Sequence, residues 1–190
     1  MKKKLLFLVP LFLILTQCKK DDDDTEYVIR EYSDQVNVDH LILEDYLRTH
    51  TYNYEDFVNQ INVDVKIDTL TDFNSSRQSL YDLANVKTIN VTDSNGDNVS
   101  HNLYYIIARE GLNEKPSVAD SVYIAYDGLL TDGYVFDNRK FPIWLDLANS
   151  LEGFREGVSE LKTGNFTENS NGTISYTSFG VGIFLSLIHI

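Results

Sequence analysis

With 190 residues, the chain has room for one ordinary domain and some additional elements, but not for two large domains. A hydrophobic content of 43% with 24% charged residues supports a packed core, and twelve Tyr and ten Phe against three Pro favour a sheet-rich or mixed fold. The formal charge of −13 argues against nucleic acid as a partner, because phosphate binding requires clustered Lys and Arg.

The N-terminus reads as an export signal over residues 1–17. Lys2, Lys3 and Lys4 form a basic start, and Leu5 to Leu15 is apolar apart from Pro10, too short to span a bilayer as a mature helix. Leu15-Thr16-Gln17-Cys18 resembles a bacterial lipobox, which implies lipid attachment at Cys18, although Gln17 is bulkier than the usual Gly or Ala. An ordinary signal peptide with an incidental Cys is the competing reading. Cys18 is the sole cysteine, so an intrachain disulfide is excluded, and no companion residues suggest metal binding. Asp21 to Asp24 are four adjacent carboxylates that repel one another, which makes residues 18–35 a solvated acidic tether. A Cys followed by such a run resembles the lipoprotein export signal of Bacteroidetes-type bacteria. That implies a cell-envelope protein lipid-anchored to the outer membrane, periplasmic or surface-exposed; a spacer without address information is the alternative.

Residues 36–85 predict a mainly helical N-terminal extension. Asp39 can cap a helix reaching Thr49, with Ile42, Leu43, Tyr46 and Leu47 on one stripe. Tyr54 to Ile61 is helix-compatible, Asn62 to Leu70 alternates like a strand, and Ser75 to Leu83 fits either helix or loop. No catalytic cluster occurs here. Such a segment packs on the main domain or sets its distance from the membrane.

From Val86 the period becomes that of strands. Lys87, Ile89 and Val91 share one face, Asn95-Gly96 turns the chain, and His101 to Arg109 returns. Asp93, Asn95 and Asp97 superficially suggest a calcium loop, but Asn98 stands where Gly is required and Tyr104 where the closing Glu belongs, so no metal is expected. Val118 to Gly128 is the next strand, with Val122, Ile124 and Tyr126 opposite Tyr123, Ala125 and Asp127. Asp132-Gly133 turns into Tyr134 to Asp137. A helix follows from about Ser150 to Lys162, where Leu151, Phe154, Val158 and Leu161 form an apolar stripe, with Gly164 as a left-handed stop. Asn171-Gly172 makes a further turn ahead of Thr173-Ile174-Ser175-Tyr176. The order of elements fits an α+β fold in which a twisted antiparallel sheet wraps one short helix. His40, His50, His101 and His189 have no shared spacing, and nothing suggests a nucleophile elbow or zinc helix.

Tyr126-Asp127-Gly128-Leu129-Leu130-Thr131-Asp132-Gly133-Tyr134-Val135-Phe136-Asp137 fills every fixed position of the Tyr-x-Gly-x-Leu-x-Asp-Gly-x-x-Phe-Asp motif of FKBP domains, so the chain resembles the FKBP family of peptidyl-prolyl cis-trans isomerases. Pro142 to Leu147, Ser150 to Gly157 and Leu161-Lys162-Thr163-Gly164 answer further family segments in order, and the resemblance covers about Val86 to about Phe184. It implies an FKBP-like domain over 86–190 that isomerises X-Pro bonds in exported polypeptides, without cofactor or metal. It implies a pocket formed by Tyr126, Phe136 and Asp137 as the catalytic wall and Ile143, Leu151 and Phe154 as substrate-binding residues. Phe154 would be the floor where most relatives have Trp, the Leu151 amide would bind a substrate carbonyl, and Asp137 would accept a hydrogen bond from Tyr126. Phe154, Leu151 and Ile143 also fit plain core positions. Relatives continue after Gly180-Val181-Gly182 to a Pro-containing flap, an Ala-Tyr-Gly element and a last central strand. Here Ser186 to Ile190 ends the chain, so the resemblance implies either an incomplete domain whose last residues are not native or a genuinely shortened protein. A non-catalytic FKBP-like envelope binding or assembly module, and a function carried by the N-terminal part, are the other readings.

Overall fold

The computed structural model describes residues 32–58, 63–93 and 95–186. The export signal, Cys18, most of the acidic tether, the expected helix end at Ile61 and residues 187–190 lie outside the described residues.

Helix α1 (Tyr32–Thr49) runs into strand β1 (His50–Tyr52), a 3₁₀ turn (Tyr54–Val58), β2 (Ile67–Thr69) and the short helix α2 (Leu80–Leu83). The sequence places the start of α1 at Asp39, but the helix already includes Tyr32 and passes through Asp39. Asp39 is buried in mid-helix and accepts a hydrogen bond from Gln35 Nε2, one turn earlier, at 2.6 Å. The long range of that start is visible in Tyr32 Oη, which lies 2.9 Å from His101 Nε2 on a strand 69 residues away. Of the expected strand Asn62 to Leu70, the described residues 63–70 are strand only at Ile67–Thr69, paired antiparallel with β1. The ambiguous stretch from Ser75 resolves at Ser79, which caps α2 in a reciprocal box with Asp82.

Strands β3 (Asn85–Thr92) and β4 (Asn98–Arg109) form the first hairpin, and β9 (Val181–Leu185) pairs with the far edge of β4, all antiparallel. Strand alternation gives this sheet two buried faces. Tyr104, Ile106 and Ile183 join Leu43, Leu47, Tyr52 and Leu80 in the larger core beneath α1 and α2. On the other face, Lys87 reaches Glu156 and Glu160 at 3.0 and 2.8 Å, and Phe184 meets the helix α3 (Glu152–Val158). Helix α1 therefore packs on the sheet through Leu43, Tyr46 and Leu47, while Ile42, the fourth member of the expected stripe, is exposed.

A second hairpin, β5 (Ser121–Leu129) with β6 (Val135–Asp146), is a separate two-stranded sheet. Its inner residues Val122, Ile124 and Leu145 pack with Leu147, Phe154, Val158 and Phe184 in a smaller core. Strand β6 is longer than the sequence pattern suggests and continues through Pro142. That is allowed because β6 is an edge strand and its register is broken opposite Ala125. Helix α3 is shorter than the expected Ser150 to Lys162, since a 3₁₀ turn (Leu147–Asn149) occupies its front and Ser159 closes it.

The third hairpin is β7 (Asn165–Glu168) with β8 (Ile174–Thr177). Its second strand and Asn-Gly turn are evident in the sequence; β7 is not. Gly164 does not act as a left-handed stop, because the positive-φ glycines are Gly96, Gly133 and Gly172 at the three hairpin tips. Gly164 instead permits close approach: a Cβ there would lie 2.5 Å from the Thr177 carbonyl oxygen. The described residues thus form an α+β fold of several antiparallel sheets and short helices, as expected from the sequence, with β4, β9 and the β5–β6 hairpin packed against α3.

Candidate functional site

The side chains singled out by the sequence come from β5, β6 and the start of α3. In the β5–β6 ladder, Gly128 stands opposite Asp137 and Tyr126 opposite Arg139. Tyr126 and Gly128 share a strand face, so Asp137 is the diagonal neighbour of Tyr126. The Tyr126 hydroxyl donates to Asp137 Oδ2 at 2.6 Å, a short charge-assisted bond. On the other carboxylate oxygen, Arg139 Nη1 donates to Oδ1 at 3.1 Å. The Tyr126 hydrogen bond is the chief cause that lowers the Asp137 pKa below its ordinary value; burial opposes it, and the Arg139 charge and the Asn138 backbone N–H lower it further by smaller amounts. The same hydrogen bond, followed by burial, raises the Tyr126 pKa. At ordinary pH the phenol therefore stays protonated and the carboxylate ionised.

Phe154 comes from the first turn of α3 and places its ring edge-on to Tyr126, centroids 5.2 Å apart and planes at 62°. This is a favoured aromatic geometry, because the positive edge of one ring meets the negative face of the other. Phe136 arrives by a different route. The register shifts between Gly128↔Asp137 and Leu129↔Val135, which leaves Phe136 as the extra residue of a bulge and frees it from strand alternation. Its ring then folds over Gly128, where a Cβ would lie only 2.7 Å from Phe136 Cζ. The glycine of the motif makes room for the ring.

Ile143 is half-buried opposite Ile124, on the face that also carries Leu145 and Val122. Leu151 occupies the N-cap position of α3 and its carbonyl accepts from the Arg155 N–H at 2.8 Å. Its side chain is 45% exposed and that of Phe136 48%, so neither is a core residue here. Tyr126 touches both Asp137 and Phe154, and Phe136 lies over Gly128, the cross-strand partner of Asp137; Ile143 stands on the same strand β6 as Asp137, and Leu151 at the start of the same helix α3 as Phe154. The result is an open aromatic surface with one ionised, oriented carboxylate at its edge. Two surface concavities, one at Leu112, Asn113 and Lys162 and one between α1 and β4 at His40 and His101, lie away from it. Among the described residues no cluster of His, Cys, Asp and Glu could hold a metal ion.

Arg139 is the residue that sequence reasoning misses. The signal for it is the spacing Asp-x-Arg in a strand, which puts both side chains on one face. Recognising the pair also requires the register that sets Arg139 across from Tyr126.

No family model matches the chain, and no solved structure matches it either. Curated proteins do. Over 65 residues the chain is 38% identical to a probable FKBP-type peptidyl-prolyl cis-trans isomerase FkpA of Neisseria meningitidis, covering 33% of this chain and 24% of that protein. Over 68 residues it is 35% identical to the FKBP-type peptidyl-prolyl cis-trans isomerase FkpA of Escherichia coli K12, covering 34% and 25%. The chain thus matches about a quarter of the length of each FkpA relative. It is also 36% identical over 81 residues to FK506-binding protein 1 of Dictyostelium discoideum, covering 40% of this chain and 72% of that smaller protein. With an ordered motif, an α+β fold and a relative matched over most of its length, this chain belongs to the FKBP-type peptidyl-prolyl cis-trans isomerase family.

Proposed function

We propose that the chain is a peptidyl-prolyl cis-trans isomerase that assists the folding of exported proteins. The observation that carries this reading is the Tyr126–Asp137 hydrogen bond beside the Phe154 ring. Rotation about an X-Pro bond breaks amide resonance, against a barrier of about 18–20 kcal/mol. The twisted amide is less polar than either planar form, so an apolar aromatic surface that strips water from it stabilises the transition state more than the ground states. In this reading Phe154 is the floor, and Tyr126 and Phe136 are the wall. Asp137, oriented by Tyr126 and Arg139, is the polar edge. Ile143 and Leu151 hold the flanking residues of the substrate, with the Leu151 amide toward a substrate carbonyl. No covalent step and no cofactor enters.

The site belongs to the domain proposed over 86–190, with 36–85 as the extension that supports it. For its place in the cell, we propose cleavage before Cys18, lipid attachment there, and anchoring to the outer membrane through the acidic tether. Among the described residues no helix is long and apolar enough to cross a membrane. Replacing Cys18 by Ala is expected to release the protein from membranes on fractionation, and retention would refute the anchor.

The isomerase reading is tested by the rate of X-Pro isomerisation in a short peptide. Acceleration by the unaltered chain is expected, with a loss of about tenfold or more in Asp137→Ala and in Phe154→Ala. The exposure of Phe136 and Leu151 favours a second reading, a non-catalytic binding or assembly module of the envelope. Capture of polypeptide without acceleration, unaffected by either substitution, would establish that module instead.

A further inference from the structure

The face of the β5–β6 hairpin opposite the candidate site carries its own group of aromatic rings. Burial alternates along β5, so Val122, Ile124 and Tyr126 point inward while Tyr123, Ala125 and Asp127 point outward. Tyr123 stands across the ladder from Trp144, and their ring centroids are 5.4 Å apart. On its other side Tyr123 meets Tyr176 of β8 at 4.8 Å. Phe166 of β7 is the register partner of Tyr176 and hence shares its face of the third hairpin. These rings are not core. Trp144 is 66% exposed and Phe166 70%, with Tyr123 and Tyr176 at 40% and 42%. The third hairpin therefore extends an aromatic shelf that the second hairpin begins. The shelf lies on the outward side, away from Tyr126 and Phe154.

Carboxylates accompany the rings. Asp127 is on the outward face of β5, whereas Asp146, at the outward position of β6 after Trp144, turns its carboxylate onto the Ala148 N–H and the Asn149 side-chain amide. Glu168 shares the face of Phe166 by strand alternation, and all three residues are exposed. Lys140 is the nearby cation of β6, in the stretch where the register breaks. Open π-faces attract cations through the ring quadrupole, and neighbouring carboxylates add to that attraction. A second copy of the chain is a poor occupant, since it brings the same carboxylates and the same formal charge of −13. Nucleic acid is repelled for the same reason. An extended polypeptide with alternating apolar and basic side chains fits both properties.

We propose that the shelf formed by Tyr123, Trp144, Tyr176 and Phe166 is a binding surface for extended, basic and apolar polypeptide segments. It stands apart from the isomerase site and does not depend on the isomerase reading. The partner's apolar side chains cover the exposed rings, and its Lys or Arg side chains lie over ring faces toward Asp127 and Glu168. Proline is not required at this surface.

Trp144 is the sole tryptophan of the chain, so its fluorescence reports on the shelf directly. The experiment is a titration of the full chain with a proline-free, unstructured peptide of alternating Leu and Lys, alongside a Leu and Glu peptide of equal length. A saturable shift of Trp144 emission is expected with the basic peptide, at least about tenfold tighter than with the acidic one, and weakening as salt is raised. Phe166→Ser is expected to weaken binding about tenfold, and the isosteric Glu168→Gln about twofold. Asp137→Asn is expected to leave it unchanged. Equal affinity for the two peptides, an emission shift with protein concentration alone, or saturation by a neutral oligosaccharide in place of peptide would each overturn the proposal. Loss of binding in Asp137→Asn would overturn it as well, by assigning the peptide to the isomerase site. An inactive isomerase that still binds the basic peptide would remove the proposed function and leave the shelf standing.

Discussion

The two packed regions on either side of strand β9 are built to different standards. Beneath α1 and α2, seven buried side chains close one core, and Leu47 and Leu80 have no exposed surface at all. Beside α3, only Val122, Leu147 and Val158 are buried, and the rest of the cluster, including Phe154, is half-buried. Strand β9 divides them by simple alternation, with Ile183 in the first core and Phe184 in the second. The candidate site therefore stands on the thinner of the two regions. Thin packing suits a surface that adapts to varied polypeptides, whereas the thick core holds the sheet on which that surface rests.

The largest expected effect lies in the thick core. Leu47→Ala removes a fully buried side chain and should cost about 2–5 kcal/mol, read as a lower denaturant midpoint. Val158→Ala, in the thin core, should cost less, roughly 1–2 kcal/mol. Amides of β5 and β6 should exchange hydrogen at lower opening energies than those of β4. Equal losses for the two substitutions would erase the distinction. Next in size is Gly157→Ala, at the boundary between the regions. Its new Cβ would lie 2.5 Å from Phe184 Cγ, and overpacking of this kind costs about 1–3 kcal/mol. A stability unchanged in Gly157→Ala would mean that Phe184 has room to move, and that β9 holds the second region more loosely still.

What was legible in the sequence follows the same division between local and distant causes. The β5–β6 hairpin was evident because strict alternation and an Asp-Gly turn are local signals, and Gly133 indeed adopts a positive φ of 87°. The expected stripe Leu151, Phe154, Val158 and Leu161 holds only in part: Val158 and Leu161 are buried and Phe154 half-buried, but Leu151 is exposed at the N-cap and Leu161 lies beyond the end of α3. The start of α1 was not evident, because Tyr32 is met by His101 from far along the chain. Strand β7 was missed because Asn165-Phe166-Thr167-Glu168 is short and mostly polar, and it becomes a strand only by pairing with β8. At the candidate site the motif gave Tyr126, Phe136 and Asp137 their neighbourhood. The bulge that releases Phe136, and the register that brings in Arg139, are properties of the ladder rather than of either strand.

A smaller effect should come from the ion pairs that join the end of α3 to the first sheet. Glu160 accepts from Lys87 and from Lys115, both at 2.8 Å, and Glu156 adds a second partner for Lys87 at 3.0 Å. The hydrogen bonds from Lys115 and then Lys87 hold the Glu160 carboxyl below its ordinary 4.5. Burial works against the Lys87 charge, but Glu160 and Glu156 more than offset it and raise the ammonium above 10.5. The carboxylate contribution is thus present above about 4.5 and is lost as pH falls through the lowered value of the folded state. The lysine contribution is present below about 10.5 and is lost as pH rises through the raised one. Because the partners are partly exposed, Glu160→Gln should cost only about 0.5–1 kcal/mol at neutral pH. The difference in denaturant midpoint should close when Glu160 is protonated. A difference that persists unchanged at pH 2 would show that the glutamate acts through packing rather than charge.

The smallest effect on stability belongs to the candidate site itself, and it sharpens the comparison most. The Tyr126 hydroxyl and the Arg139 guanidinium both hold the Asp137 carboxyl below its ordinary 3.8. A lowered carboxyl contributes stability that is present above about 3.8 and lost as pH falls through the folded value. Asp137 is open to solvent, so this contribution is small and the measurement of choice is its own titration by carboxyl carbon NMR. Tyr126→Phe removes the larger cause and should move the midpoint up toward 3.8; Arg139→Gln should move it up by less. Neither should shift the denaturant midpoint at neutral pH by an amount comparable to Leu47→Ala. If Tyr126→Phe did, the phenol would be a structural brace between β5 and β6. If instead the titration moves while stability holds, the hydrogen bond orients a carboxylate that the fold does not require.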